Sequence, residues 1–149
     1  MKSGLYKTQI IMFITMVIVG MLFNGMNVLA YRFSDLYISL TLFYSGLLMA
    51  SNMMWAHEIV HYLSMGHFNT IIFFVGIFLS IFVSLLLREQ LFVDDKQWLS
   101  RMISHHSTAI TTSHKIYNKT SNFEIKKLAK EIIDTQEKEI QLMKSLLHP

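Results

Sequence analysis

Three long apolar segments near the start of the chain restrict its fold more than any other feature. They run from about Thr8 to Tyr31, from Leu36 to Ala56 and from Thr70 to Leu87. A helix needs roughly 20 apolar residues to cross the hydrocarbon core of a bilayer, and these segments are close to or above that length. The sequence therefore predicts an all-α protein that begins with three transmembrane helices.

The last third of the chain has a different composition. The whole sequence is 52% hydrophobic and only 15% charged, but most of its charged residues follow Arg88. From about Asp94, apolar residues recur at steps of three and four, which is typical of amphipathic helices. We therefore divide the chain into a three-helix membrane anchor, residues 1–88, and an extramembrane helical hairpin domain, residues 89–149.

The predicted hairpin consists of two antiparallel helices that the polar segment Asn118 to Asn122 separates. Ser121 and Glu124 have the spacing of a capping box, which predicts the start of the second helix. The apolar stripe of the first helix is Leu99, Ile103, His106, Ile110, His114 and Tyr117. That of the second helix is Ile125, Leu128, Ile132, Gln136, Ile140, Met143 and Leu147. Two helices alone cannot bury both stripes, so we expect a dimer that forms a four-helix bundle, or packing against the anchor.

Potential metal ligands are concentrated in the hairpin. Met102 lies one turn before the adjacent residues His105 and His106, and antiparallel pairing brings this turn opposite Gln136 and Glu139. The chain has no cysteine, so imidazole, thioether, carboxylate or amide groups would hold any metal, copper first and zinc second. The candidate ligands from this pattern are Met102, His105, His106, Gln136, Glu139 and Met143.

Simpler interpretations of the same residues stay open. A histidine on an apolar helix face often only makes a hydrogen bond, and methionines often only fill a core. Adjacent helical residues diverge by about 100 degrees, so His105 and His106 cannot easily bind one ion within a single copy. One of them would then be a ligand in a partner subunit or support another ligand.

The hairpin also carries two groups of short motifs in a fixed order. The first is Asp95-Lys96-Gln97-Trp98-Leu99-Ser100-Arg101-Met102-Ile103-Ser104-His105-His106, continued by Ala109-Ile110. The second is Glu124-Ile125-Lys126-Lys127-Leu128-Ala129, followed by Ile132-Ile133, Gln136, Glu139-Ile140 and Met143. Together they cover roughly the last 55 residues and resemble the two helices of the family known as domain of unknown function 305.

This resemblance implies a ferritin-like helical fold that is often dimeric and, in some members, binds copper or related ions through histidine and methionine. The preceding three-helix anchor is similar to that of membrane-bound members. Family members commonly have methionine two residues after the Ala-Ile pair, where this chain has Thr112. One soft ligand is therefore missing, and His114 is a candidate for its place as a borderline ligand.

A second pattern, His57-Glu58-Ile59-Val60-His61, precedes the third apolar segment. This spacing is typical of zinc proteases, in which two histidines bind the metal and the glutamate activates water. The following segment has no third ligand, so a membrane metalloprotease is the weakest of the hypotheses. One alternative is a polar turn at the membrane surface, where His and Glu mark the end of a helix. Another is a copper site formed by residues at four-residue steps, Met49, Met53, His57 and His61.

The sequence thus predicts an integral membrane protein that handles a transition metal and is not an enzyme. A purely structural or oligomerisation role is the main alternative. Val28-Leu29-Ala30 fits a signal cleavage site, but the length of the first apolar run favours an uncleaved anchor. We expect a bacterial inner or plasma membrane, with a cytoplasmic N-terminus and the hairpin outside, although the positively charged residues nearly balance. No basic stripe appears, so nucleic acid is not an expected partner.

Overall fold

The computed structural model describes residues 2–148, including all side chains except those of Lys2, Ser3 and Leu5. Six α-helices and one short 3-10 turn make up the regular structure of these residues, which contain no strand. In chain order they are α1 Lys2–Leu22, α2 Gly25–Val28, the 3-10 turn Phe33–Asp35, α3 Leu40–Met65, α4 Thr70–Arg88, α5 Asp95–Lys119 and α6 Phe123–Leu147. The all-α prediction is confirmed.

The chain forms two compact units, each built from two separate stretches. The first unit contains residues up to Leu22 together with Leu40–Phe92, and the second contains Phe23–Ser39 together with the residues from Val93 onward. The sequence division at residue 88 differs from these units in two respects, the first being that residues 89–92 belong to the first unit. The second is that the connection between the first two predicted membrane helices packs with the hairpin rather than with the anchor.

In the first unit, α3 packs against both α1 and α4. Glycines allow this close approach, as expected where helices pack in a membrane. A Cβ added to Gly46 would lie 2.8 Å from the carbonyl oxygen of Val17, and one added to Gly76 would lie 2.9 Å from the amide nitrogen of Trp55. Contacts this short with backbone atoms leave no room for a side chain.

The outer faces of α1 and α4 are apolar. Large exposed side chains on them include Ile10, Ile14, Ile18, Phe74, Phe78 and Ile81. Within the described residues, two helical segments are long and apolar enough to cross a membrane, Tyr6–Val28 and Thr70–Arg88. α3 does not meet this criterion. Exposed apolar surface of this extent indicates contact with lipid or with another protein.

The predicted boundaries of the first two helices need correction. The first apolar segment is not one helix, because α1 ends at Leu22 and Asn24 caps α2 by accepting hydrogen bonds from two backbone N–H groups. The second helix begins at Leu40 rather than Leu36, and it continues to Met65. The His57-Glu58-Ile59-Val60-His61 pattern is therefore helical, and its interpretation as a polar turn is wrong.

The second unit is organised around the predicted hairpin of α5 and α6. Its core consists of Leu99, Ile103, Ile110, Ile140 and Met143, with Tyr37, Met102 and Leu147 packed against it. The stripe predicted for α6 is only partly correct, since Ala129 and Ile133 are buried whereas Ile125 and Leu128 are exposed. Asn122, not Ser121, caps α6, because its side chain accepts from the N–H groups of Glu124 and Ile125.

The segment 23–39 is fixed to the hairpin through a buried carboxylate. Asp35 is fully buried, and its two oxygens accept hydrogen bonds from Lys144 on α6 at 2.6 Å and from Ser107 on α5 at 2.8 Å. The hydroxyl of Ser104 donates to the backbone carbonyl of Asp35 at 2.8 Å. Arg32 adds an exposed ion pair with Glu137 at 2.9 Å. One side of the hairpin is therefore covered by this segment.

Candidate metal-binding site

His106 and Glu139 meet where α5 and α6 face each other. His106 Nδ1 lies 3.1 Å from Glu139 Oε2, and the His106 side chain is only 13% exposed. The contact lacks hydrogen-bond geometry, so Nδ1 has no hydrogen-bond partner among the described residues. Gln136 donates from Nε2 to the same carboxylate oxygen at 3.3 Å. The structure thus brings together three of the predicted ligands, each able to offer a nitrogen or oxygen atom.

His105 lies beside this group on the exposed side of α5. Its ring centroid is 6.0 Å from that of His106, and the two planes are inclined by 62°. Such divergence is what the helical rotation of adjacent residues predicts. His105 therefore presents its imidazole outward, while His106 remains between the helices.

The other predicted hairpin ligands lie elsewhere. Met143 is a buried member of the apolar core, and Met102 packs against that core. His114 stacks on Tyr31, with the ring centroids 5.2 Å apart. Within residues 2–148, no three His, Asp or Glu side chains are arranged to hold a metal ion.

Burial controls the protonation of His106. Loss of solvent contact lowers its pKa below the ordinary value of 6.5, nearby Glu139 opposes this shift, and His105 adds to it. The imidazole is consequently neutral at pH 7 and keeps a lone pair for a metal ion or a hydrogen-bond donor.

The second predicted cluster lies in the first unit. The rings of His57 and His61 stack at 5.9 Å, and His67, which the sequence analysis did not select, lies 6.2 Å from His61. Met53 is on the same helix and is exposed. Glu58 is only 3% exposed, and its carboxylate accepts a hydrogen bond from the N–H group of Asn69 at 2.9 Å. This bond ties Glu58 on α3 to the connection between α3 and α4. A buried carboxylate held in this way is not free to activate water, which does not favour the protease hypothesis.

Two structural features could not be found by periodicity. The buried pairing of Asp35 with Lys144 joins residues 109 positions apart, and the only signal for it was an isolated acid between two apolar segments. Gln9, which is 7% exposed, lies near the His57 cluster and lines the same cavity. A glutamine at the edge of an apolar run indicates a buried partner, but not which one.

Comparison with known proteins places these observations in a family. Residues 87–147 match the family described as Domain of unknown function (DUF305). An uncharacterized protein of Acanthamoeba polyphaga mimivirus is 40% identical over 124 residues, which is 83% of this chain and 81% of the relative. No solved structure matches the chain. The protein is thus all-helical in the residues described. It has two compact units, a hairpin that carries histidines, and two apolar helical segments long enough to cross a membrane. The chain belongs to the DUF305 family.

Proposed function

We propose that this protein is an integral membrane protein whose hairpin domains pair and bind a transition metal ion, copper first and zinc second, in metal homeostasis or handling. The observation that carries the proposal is the group of His106, Glu139 and Gln136 between α5 and α6, with His105 directly outside it. Neutral imidazole and carboxylate are suitable ligands for both metals.

The contacts of the second unit support three membrane spans. Residues 23–39 and 93–148 belong to one compact unit, so both must lie on the same side of a membrane. The chain between them passes through α3 and α4. If α4 crosses the bilayer, α3 must also cross it, because one crossing would leave the two stretches on opposite sides. α3 is the most polar of the three helices, and its contacts with both α1 and α4 shield Ser51 and Glu58.

A second copy would complete the coordination sphere. We define the open face of the hairpin as residues at alternating steps of three and four on both helices. On α5 these are Trp98, Met102, His105, Ala109, Thr112 and Ile116, and on α6 they are Ile125, Leu128, Ile132, Thr135, Glu139, Leu142 and Leu146. Helical geometry places this face away from Ser104 and Ser107, which bind the segment 23–39.

The open face combines apolar ends with a polar middle. Trp98, Leu128, Leu142 and Leu146 are more than half exposed, and His105 and Glu139 lie between the apolar groups. Steps of three and four are those by which helices pack into bundles. Two copies joined through this face would form a four-helix bundle and bring two sets of His105, His106 and Glu139 to one layer. Structural zinc usually has four protein ligands, and two copies can supply that number.

The experiment is metal analysis of the full-length protein in detergent micelles. After exposure to Cu²⁺ or Zn²⁺ and removal of excess metal, plasma mass spectrometry gives the metal content per chain. We expect bound metal in the parent protein and its loss in the H105A/H106A double variant. H114F is the matched control, because His114 is on the same helix but stacks on Tyr31. Equal metal content in the parent and the double variant would refute this site.

A further inference from the structure

The first unit contains a cavity with several polar side chains in a mainly apolar lining, at the end of the helices where α1 begins and α3 turns into α4. Its volume is about 450 Å³, and its polar lining includes Gln9, His57, Glu58, His61 and His67.

Two buried polar atoms of residues that line this cavity lack a hydrogen bond. Gln9 Oε1 and His57 Nδ1 make no hydrogen bond within the part of the chain that the structure describes. Gln9 is more than nine-tenths buried, and it lines the cavity. A buried acceptor that lacks a hydrogen bond destabilises the fold, so its presence points to a bound partner.

The hydrogen bonds that Nδ1 makes in His61 and His67 determine whether Nε2 of each ring is a donor or an acceptor. His61 Nδ1 lies 3.0 Å from the carbonyl oxygen of His67, and His67 Nδ1 lies 2.9 Å from the carbonyl oxygen of Met65. A carbonyl oxygen only accepts, so each Nδ1 carries the hydrogen and donates it. In the neutral imidazole the remaining Nε2 is then an acceptor. The residues that line the cavity therefore offer three acceptors, these two nitrogens and Gln9 Oε1.

A second, apolar cavity of about 310 Å³ shares Tyr6, Gln9 and Ile71 with the first. Its other lining residues are Ile10, Phe13, Met54, Ile72, Val75 and Leu79. Met54 is on α3, and the other side chains belong to α1 and α4, so this cavity is a groove between these two helices. The cavity that contains the polar side chains therefore adjoins a hydrocarbon-lined groove.

We propose that this composite cavity binds an uncharged lipid with a hydroxyl head and a single hydrocarbon chain. The head hydroxyls would donate to Gln9 Oε1 and to the Nε2 atoms of His61 and His67, and the chain would occupy the groove beside Met54 and Val75. A metal ion would use the same nitrogens but has no need of the groove. The site is separate from the hairpin and does not depend on metal binding there.

The test compares two lipids that have the same oleoyl chain. Full-length protein in detergent micelles at pH 8 is mixed with 1-monooleoylglycerol or methyl oleate at equal mole fraction. Native mass spectrometry then counts lipid adducts. The first lipid has hydroxyl donors and the second has none, so we expect about tenfold more adduct with the first, as for one or two lost hydrogen bonds. Equal occupancy by both lipids would overturn the proposal.

Substitutions in the cavity and in the groove test where the lipid binds. Q9L removes the unpartnered acceptor and should abolish the preference for 1-monooleoylglycerol, whereas T15V, on the exposed side of the same helix, should retain it. V75W fills the groove and should abolish adducts of both lipids, whereas F78W on the outer surface of α4 should not. The H105A/H106A variant should bind lipid normally, which separates this result from the hairpin metal site. Binding of Zn²⁺ that displaces the lipid and requires His61 and His67 would instead assign the cavity to a metal.

Discussion

Lys144 donates a hydrogen bond of 2.6 Å to Asp35, a carboxylate with no exposed surface. One residue belongs to the last helix, and the other belongs to the connection between α1 and α3. The second oxygen of Asp35 accepts from Ser107, so the acid contacts both helices of the hairpin. The hairpin domain therefore includes a stretch of chain that precedes it by more than 50 residues.

This relationship makes Asp35 the most sensitive polar residue of the second unit. We expect D35A to lower the free energy of unfolding of this unit by about 3 kcal/mol, because breaking a buried ion pair leaves its partners without compensation. The chain has two tryptophans, Trp55 in the first unit and Trp98 in the second. Urea titration of full-length protein with the W55F background, followed by Trp98 fluorescence, measures this change.

The control is an exposed ion pair in the same unit. Lys130 and Asp134 are 2.8 Å apart on the surface of α6, and their mutual interaction raises the pKa of Lys130. Exposed pairs contribute little to stability, since solvent screens them. D134A should therefore leave the Trp98 transition nearly unchanged. A loss as large as that of D35A would show that Asp35 has no special role.

Local patterns allowed much of the fold to be predicted. The steps of three and four around Ile103 and Ile110 predicted α5, and both side chains are fully buried. On α6 the pattern was ambiguous, because apolar residues follow two parallel stripes. Periodicity selected Leu128, which is exposed, and omitted Ile133, which is buried. Which of the two stripes is buried depends on where α5 packs against α6, and that packing is set by the tertiary structure rather than by local sequence.

The candidate site was predictable to a similar extent. Antiparallel pairing about the interhelical turn predicted that His106 faces Gln136 and Glu139, and the structure has these residues together. The sequence left both a core role and a ligand role open for Met102 and Met143, and the structure has Met143 in the apolar core with Met102 packed against it. A thioether suits both a metal and a core, so sequence spacing alone cannot distinguish the two roles.

Gly46 provides a second prediction, for the first unit. A Cβ at this position would lie 2.8 Å from the carbonyl oxygen of Val17, so α1 and α3 would have to separate. We expect G46A to destabilise the first unit by about 1 to 3 kcal/mol, as overpacking does. Trp55 fluorescence in a W98F background reports this unit. Gly4 has no atom within 4 Å of an added Cβ, so G4A should have no such effect.

The third prediction concerns the stability of the second unit at acidic pH. The pKa of His106 in the folded protein lies below 6.5, mainly because of burial. The unfolded chain therefore binds a proton first as the pH falls, and stability of the second unit should decrease from about pH 6.5 until the folded pKa is passed. Urea titrations at several pH values with a metal chelator present, read from Trp98, measure this loss.

Two variants test whether His106 causes the loss of stability at acidic pH. H106Q removes the buried titrating group and should flatten the pH dependence below 6.5. H105Q should retain it, because the side chain of His105 is exposed. A pH dependence that persists unchanged in H106Q would place the titrating group elsewhere in the unit.

The last prediction tests the pairing of hairpins through the open face. Leu128 and Leu142 are exposed there by 56% and 59%, on either side of Glu139. Burying them against a second copy would favour association, whereas glutamate at both positions would place like charges in the interface. We therefore expect L128E/L142E to convert the protein from a dimer to a monomer in sedimentation equilibrium with density-matched detergent. Phe123 is 75% exposed but outside the open face, so F123E should remain a dimer.

If the two paired hairpins also hold the metal ion, L128E/L142E should lose bound copper, and a chelator should weaken the parent dimer. A dimer that ignores the chelator would instead support a purely structural role for the hairpin.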